Sequence, residues 1–113
     1  MSDPCLFCRI ARGEIPATVV LETKACIAFR DINPRAPTHV LVIPREHIDS
    51  LDAAADAGVL GEVLLAAAQV ARQEGIAQEG YRTVFNTNAG AGQTVFHLHA
   101  HVLGGRALSW PPG

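Results

Sequence analysis

No apolar run in this chain is long enough to cross a bilayer, and its first residues lack the pattern of a secretion signal. Nor is there a basic run or stripe: nine Lys and Arg face eleven Asp and Glu, for a formal net charge of −2. A surface that tracks a nucleic-acid backbone is therefore not expected, and neither is a membrane partner, although a basic pocket could receive one nucleotide. Internal repeats, low-complexity tracts and a second-domain linker are also missing. The chain reads as one domain, 1–113, with a sizeable core and residues 106–113 as a C-terminal tail. Cysteines are few and odd in number, Cys5, Cys8 and Cys26. That usage fits a reducing compartment, so a cytoplasmic protein is expected.

What is present concentrates near the C-terminus, where His97-Leu98-His99-Ala100-His101 alternates imidazoles with small or aliphatic residues. Successive strand side chains point to opposite faces. His97, His99 and His101 would therefore share one face, each roughly 7 Å from the next, while Leu98, Ala100 and Val102 fill the core face. Just before them runs Gly90-Ala91-Gly92-Gln93-Thr94, small enough for backbone N–H groups to approach an anion. The residues alone leave open structural histidines, a tri-His metal centre, or a nucleophile beside a phosphate site. The first needs a separate polar partner for every buried ring, and mutual repulsion opposes charging all of them. The last uses imidazole's nucleophilicity near neutral pH on a phosphate ester or amide.

Earlier in the chain, Asp3-Pro4 can open a short helix that Gly13 ends, with Arg9 and Arg12 near its negative pole. Cys5-Leu6-Phe7-Cys8 lies on it. Two thiolates make half of a tetrahedral zinc site, although a redox pair or two inert thiols fit the same spacing. Residues 18–21 and 26–30 read as a hairpin, with Cys26 a packing residue. Two prolines and Asn33 make 31–37 a loop, in which Asp31 could simply form a turn. Residues 39–44 are nearly all apolar, as a central strand should be. The 56–75 segment has helical spacing at Val63, Leu64, Ala67, Val70 and Ala71, with Asp56 as cap and Gly75 as stop. It would cover the sheet or pack on a twin subunit. Residues 81–86 form a strand leading into the glycine-rich loop.

His97-Leu98-His99-Ala100-His101-Val102-Leu103 resembles the His-φ-His-φ-His-φ-φ motif of the histidine-triad (HIT) superfamily. The endings Leu103-Gly104-Gly105-Arg106 and Trp110-Pro111-Pro112-Gly113 resemble its Hint branch of purine nucleoside phosphoramidases, in the bacterial type that carries C-x-x-C. The resemblance implies an α+β HIT-like fold: an antiparallel sheet of about five strands, a short N-terminal helix and one long helix. It also implies a homodimer with a continuous sheet, the tail of one subunit reaching toward its partner's site. By the same resemblance, His99 attacks the α-phosphorus of an AMP- or GMP-type phosphoramidate and carries the nucleotide until water releases it. His101 would stabilise the phosphate oxygens, His39 would hydrogen-bond within the site, and Thr94 stands where Ser is common, beside the leaving group. Leu6, Phe7, Ile10 and Phe29 would line a slot for the base, and Asp31 would hold the ribose hydroxyls. Asn86, Gly92, Gln93 and Thr94 would cradle the phosphate, and Trp110 would shape leaving-group preference. The resemblance further implies a structural zinc on Cys5, Cys8, His47 and His97, and no catalytic metal. Zinc on His97 would bar that residue from acting on substrate, although it belongs to the triad. A Fhit-like dinucleoside polyphosphate hydrolase and a nucleotide-binding scaffold with little turnover are the competing readings.

Overall fold

In the computed structural model, which describes residues 4–113, the strand Thr38–Pro44 is buried at every position. A strand apolar on both sides can only sit inside a sheet. Numbering in chain order, the strands are β1 Val19–Glu22, β2 Cys26–Arg30, β3 Thr38–Pro44, β4 Tyr81–Val84 and β5 Ala100–Gly104. They form one antiparallel sheet of order β1-β2-β3-β5-β4, with β3 in the middle. The hairpin expected over 18–30 is there, displaced by one residue at its start. Thr23 closes its turn, its Oγ1 accepting the Cys26 N–H at 2.9 Å.

The two faces of this sheet differ in what covers them. On one face lies α2, Ala57–Gln73, capped by the Asp56 carboxylate, which accepts the Gly58 N–H at 2.8 Å, and ended before Gly75 at φ +75°. Its Val63, Ala66, Ala67 and Val70 pack on Ala28, Val40, Val42, Ala100 and Val102. Leu64, expected on the buried stripe, is instead 50% exposed beside Leu65, and Ala66 takes the inward position. Small residues let the helix approach a sheet face studded with valines. Gly104 is needed for the same closeness: a Cβ there would stand 2.6 Å from Ile76 Cδ1.

The opposite face carries the intervening residues His39, Leu41, Ile43, Ile27, Phe29 and His101, and α1, Leu6–Ala11, covers the apolar ones. Phe7 and Ile10 are the α1 side chains that pack against Phe29, Leu41 and Ile43. The cap of α1 is Cys5, whose sulfur accepts the Cys8 N–H at 3.3 Å. Asp3, expected to open this helix, lies outside the described residues.

Two strand boundaries depart from the expected ones. The fourth strand ends at Val84 and not at 86, and the fifth begins at Ala100, so His97 and His99 precede it. The reason lies in β3: its ladder with β5 stops at the pair Val42–Ala100, and beyond that Pro44 has no N–H to continue. The Pro44 carbonyl instead accepts from the His97 ring at 2.8 Å, and Leu98 N–H donates to Ile48 O at 2.6 Å. Residues 97 to 100 are all buried, so the segment upstream of the regular strand is enclosed on both sides.

Among the described residues, no helix is long and apolar enough to cross a membrane.

Candidate active site and metal centre

His97 shows most clearly how the triad divides its labour. Its ring is fully buried, and Nε2 donates to the Pro44 carbonyl. That bond leaves Nδ1 with a lone pair, which faces Cys5 Sγ at 3.4 Å and Cys8 Sγ at 3.5 Å. His47 repeats the arrangement: Nε2 pairs with Asp49 Oδ1 at 2.7 Å, and Nδ1 stands 3.3 Å from Cys8 Sγ. The four ligand atoms of Cys5, Cys8, His47 and His97 all lie within 4.8 Å of one another. Tetrahedral zinc with Zn–S of about 2.3 Å and Zn–N of about 2.0 Å requires S···N edges of about 3.5 Å, so this donor set fits the ion. The outer partners Pro44 O and Asp49 orient both rings in the manner that metal-ligating histidines require. Both ring nitrogens of His97 are therefore engaged, and its ring lines neither of the cavities flanking the other two triad histidines.

What His97 contributes toward those histidines is its carbonyl, which accepts from His99 Nδ1 at 2.7 Å. With its proton on Nδ1, His99 keeps the lone pair of Nε2 free. The ring is held edge-on to Phe7 at 5.1 Å, and Phe7 in turn packs edge-on against Phe29 at 5.3 Å. His101 lies 5.0 Å from His99, centre to centre. Its tautomer follows from a chain of donors. Arg35 N–H donates to His39 Nδ1 at 2.9 Å, so His39 carries its proton on Nε2 and donates it to His101 Nδ1, also at 2.9 Å. His101 is left with Nε2–H, a donor suited to an oxyanion. Asp31 supports the chain, with Oδ2 3.4 Å from His39 Nε2 and Oδ1 accepting the Asn33 N–H.

A cavity of about 640 Å³ opens beside these rings. Leu6, Phe7, Ile10 and Phe29 line it, with Asp31, Thr94, His99 and His101. Leu41 and Val95 also line it; Leu41 could have been found from its two-residue spacing to His39. A second cavity of about 480 Å³ shares the His101 and Asp31 walls and includes His39 and Asn86. The remaining expected residues behave differently. Gln93 is buried and holds the loop itself, accepting Asn88 N–H and donating to Asp49 O and Val95 O, so its amide is turned away from a ligand. Gly92, at φ +90°, lets that loop turn but lines neither cavity. Trp110 is 81% exposed and undocked on its own chain, while Arg82 holds the tail just before it through Ser109 O at 2.9 Å. Asp49 was missed, although its two-residue spacing from His47 could have marked it.

The whole chain has close counterparts among known proteins. A HIT domain family model matches residues 12–108. A purine nucleoside phosphoramidase of Escherichia coli K12 is 46% identical over 96% of this chain and 92% of its own. A 14 kDa zinc-binding protein of Zea mays is 48% identical over 98% of this chain and 89% of its own. The crystal structure of a HIT family hydrolase from Legionella pneumophila Philadelphia 1 superposes with a TM-score of 0.94, at 54% identity, covering 96% of this chain and 99% of that one.

The electrostatics of the cluster make His101 a neutral ring. Burial, and then the like charges of His99 and His39, push its pKa down from 6.5 to about 4, with Asp31 opposing. Burial likewise lowers His39. Because the unfolded chain protonates His101 near 6.5, its neutral form contributes stability in full above that pH. The contribution is lost as pH falls from 6.5 through about 4. Ring ¹⁵N NMR should accordingly find His101 uncharged at pH 5.5 with a midpoint near 4; a midpoint near 6.5 would contradict the assignment.

Proposed function

The chain belongs to the HIT domain family, and from that premise we propose that it hydrolyses purine nucleoside phosphoramidates to the nucleoside monophosphate and a free amine. The observation that carries the reading is the 2.7 Å bond from His99 Nδ1 to the His97 carbonyl, which leaves Nε2 free as a nucleophile. The base enters the apolar slot between Leu6, Phe7, Ile10 and Phe29, and Asp31 at its mouth accepts from the ribose hydroxyls. This sets the α-phosphorus against His99.

His99 Nε2 forms a bond to phosphorus as the phosphorus–nitrogen bond breaks, and the bonding pair leaves with the amine. The amine takes the proton of the Thr94 hydroxyl and departs neutral, a role supported by the presence of Thr94 on the cavity wall. The His99 adduct carries a positive charge, which the His97 carbonyl stabilises at Nδ1–H. His101 Nε2–H meets the phosphate oxygens, where charge builds. Water then attacks phosphorus, returns the proton used in the first step, and frees His99. Asn86 faces the same oxygens from the second cavity.

Zinc on Cys5, Cys8, His47 and His97 is structural in this proposal, closed by four protein ligands with no position left for substrate. Free edges at β1 and β4 and the exposed Leu64 and Leu65 support a homodimer, whose second subunit would cover Trp110.

The test is turnover of adenosine 5′-phosphoramidate of a simple amine. His99→Ala should lower kcat/KM by about 10⁴-fold or more while AMP still binds. Hydrolysis of diadenosine triphosphate in preference to the phosphoramidate would overturn the substrate assignment, and negligible wild-type turnover on both would leave a binding protein. For the metal, purified protein should hold one zinc per chain, and Asp49→Ala should weaken it about 10- to 100-fold by releasing the His47 ring. Unchanged affinity in that variant would contradict the ligand set.

A further inference from the structure

The second cavity has a charge that the reaction as described does not use. Four of the five arginines elsewhere are paired: Arg9 and Arg12 with Glu14, Arg30 with Glu74, and Arg45 with Glu22. Arg35, Arg82 and Arg106 instead converge on the cavity beside His101, and none of them has an ion pair with a described acid. Arg82 donates only to tail carbonyls, and Arg106 only to the carbonyls of Arg35 and Ala107. Asp31 is the acid in this cavity; its oxygens stand 2.8 Å from Asn33 N–H and 3.4 Å from the His39 ring, and it forms no ion pair with any of the three arginines. With neutral histidines the lining therefore carries three positive charges and one negative, a net +2 within a chain whose net charge is −2.

Guanidiniums gathered without counter-charges repel one another and raise the potential of a cleft, a cost that an anionic ligand removes. The position of the cavity says which part of a substrate meets that field. His101 and Asp31 form a wall common to both cavities. A phosphorus held at His99 and His101, with its nucleoside in the first cavity, directs its other substituent into the second. We propose that this cavity is the leaving-group subsite and that it selects amines bearing an anionic group, a carboxylate or a phosphonate, a few bonds from the scissile nitrogen. Arg35 is the specificity-determining residue. Its guanidinium makes none of the carbonyl hydrogen bonds that hold the other two, while its backbone is anchored to His39 and Arg106. The side chain is thus free to pair with ligand from a fixed root.

The inference rests on the phosphoramidase reading, and the experiment separates the two. Adenosine 5′-phosphoramidates of glycine, aminomethylphosphonate and glycinamide are compared in wild type, Arg35→Gln and Arg35→Lys. The quantity read is the ratio of kcat/KM for each anionic amine to that for glycinamide, compared across variants so that intrinsic reactivity cancels. Arg35→Gln should lower at least one ratio roughly 5- to 10-fold, the size of one charge-assisted bond on a partly exposed group, and Arg35→Lys should restore most of it. A fall for glycine alone assigns a carboxylate, and a fall for the phosphonate alone assigns a phosphate-like group. Ratios unchanged by Arg35→Gln, with all compounds hydrolysed, would overturn the subsite and leave the phosphoramidase standing. If no compound is hydrolysed, the phosphoramidase reading fails. Calorimetric Kd ratios for the same compounds then decide the subsite by the same criterion.

Discussion

One residue, His97, ties the two halves of this site together. Its ring stands among Cys5, Cys8 and His47, and its carbonyl holds the Nδ1–H of His99. The rotation of His99 about its own bonds is therefore set by a backbone that a four-residue cluster clamps in place. A carbonyl in a free loop would wander on a fast timescale; one flanked by a fully buried ring bonded at both nitrogens does not. The spacing of the two cysteines adds a second link. Leu6 and Phe7 are the residues between them, and both face the cavity beside His99. The same cluster thus orients the ring proposed as nucleophile and secures the wall against which a base would lie.

The sheet makes that economy possible by segregating its faces. Residues alternate along β3 and β5, so one face presents Val40, Val42, Ala100 and Val102 to α2 while the other presents His39, Leu41 and His101. Hydrophobic burial against the long helix stabilises the scaffold without involving the histidines. The polar face can then tolerate several imidazoles because each has a partner: the carbonyl of Pro44, the carbonyl of His97, the N–H of Arg35, or another ring. Buried imidazoles without such partners would each cost a desolvated polar group.

Much of this was legible before the fold was known, and for a physical reason. Alternation at period two and helical spacing are local properties, so the central strand 39–44, the long helix and its Asp56 cap could be read from the chain alone. The C-x-x-C and the histidines could be paired only through the family resemblance, because contacts across 92 residues leave no local trace. Where the reading failed, a tertiary contact outweighed the local pattern. The triad was expected within one strand, but Pro44 ends the ladder and His97 turns to the cysteines. Leu64 fits the apolar stripe by spacing, yet Val63, Ala66, Ala67 and Val70 take the face toward β3 and β5.

The central claim is that the His97 carbonyl holds the Nδ1 proton of His99 and so reserves its Nε2 for phosphorus. Rapid quenching of a single turnover with a ¹⁵N-histidine-labelled protein, followed by ³¹P–¹⁵N coupling in the trapped adduct, reads the bonded nitrogen directly. The account predicts one nucleotide per chain on Nε2 of His99. Phosphorus on Nδ1 of that ring, on another residue, or no adduct during rapid turnover would contradict it.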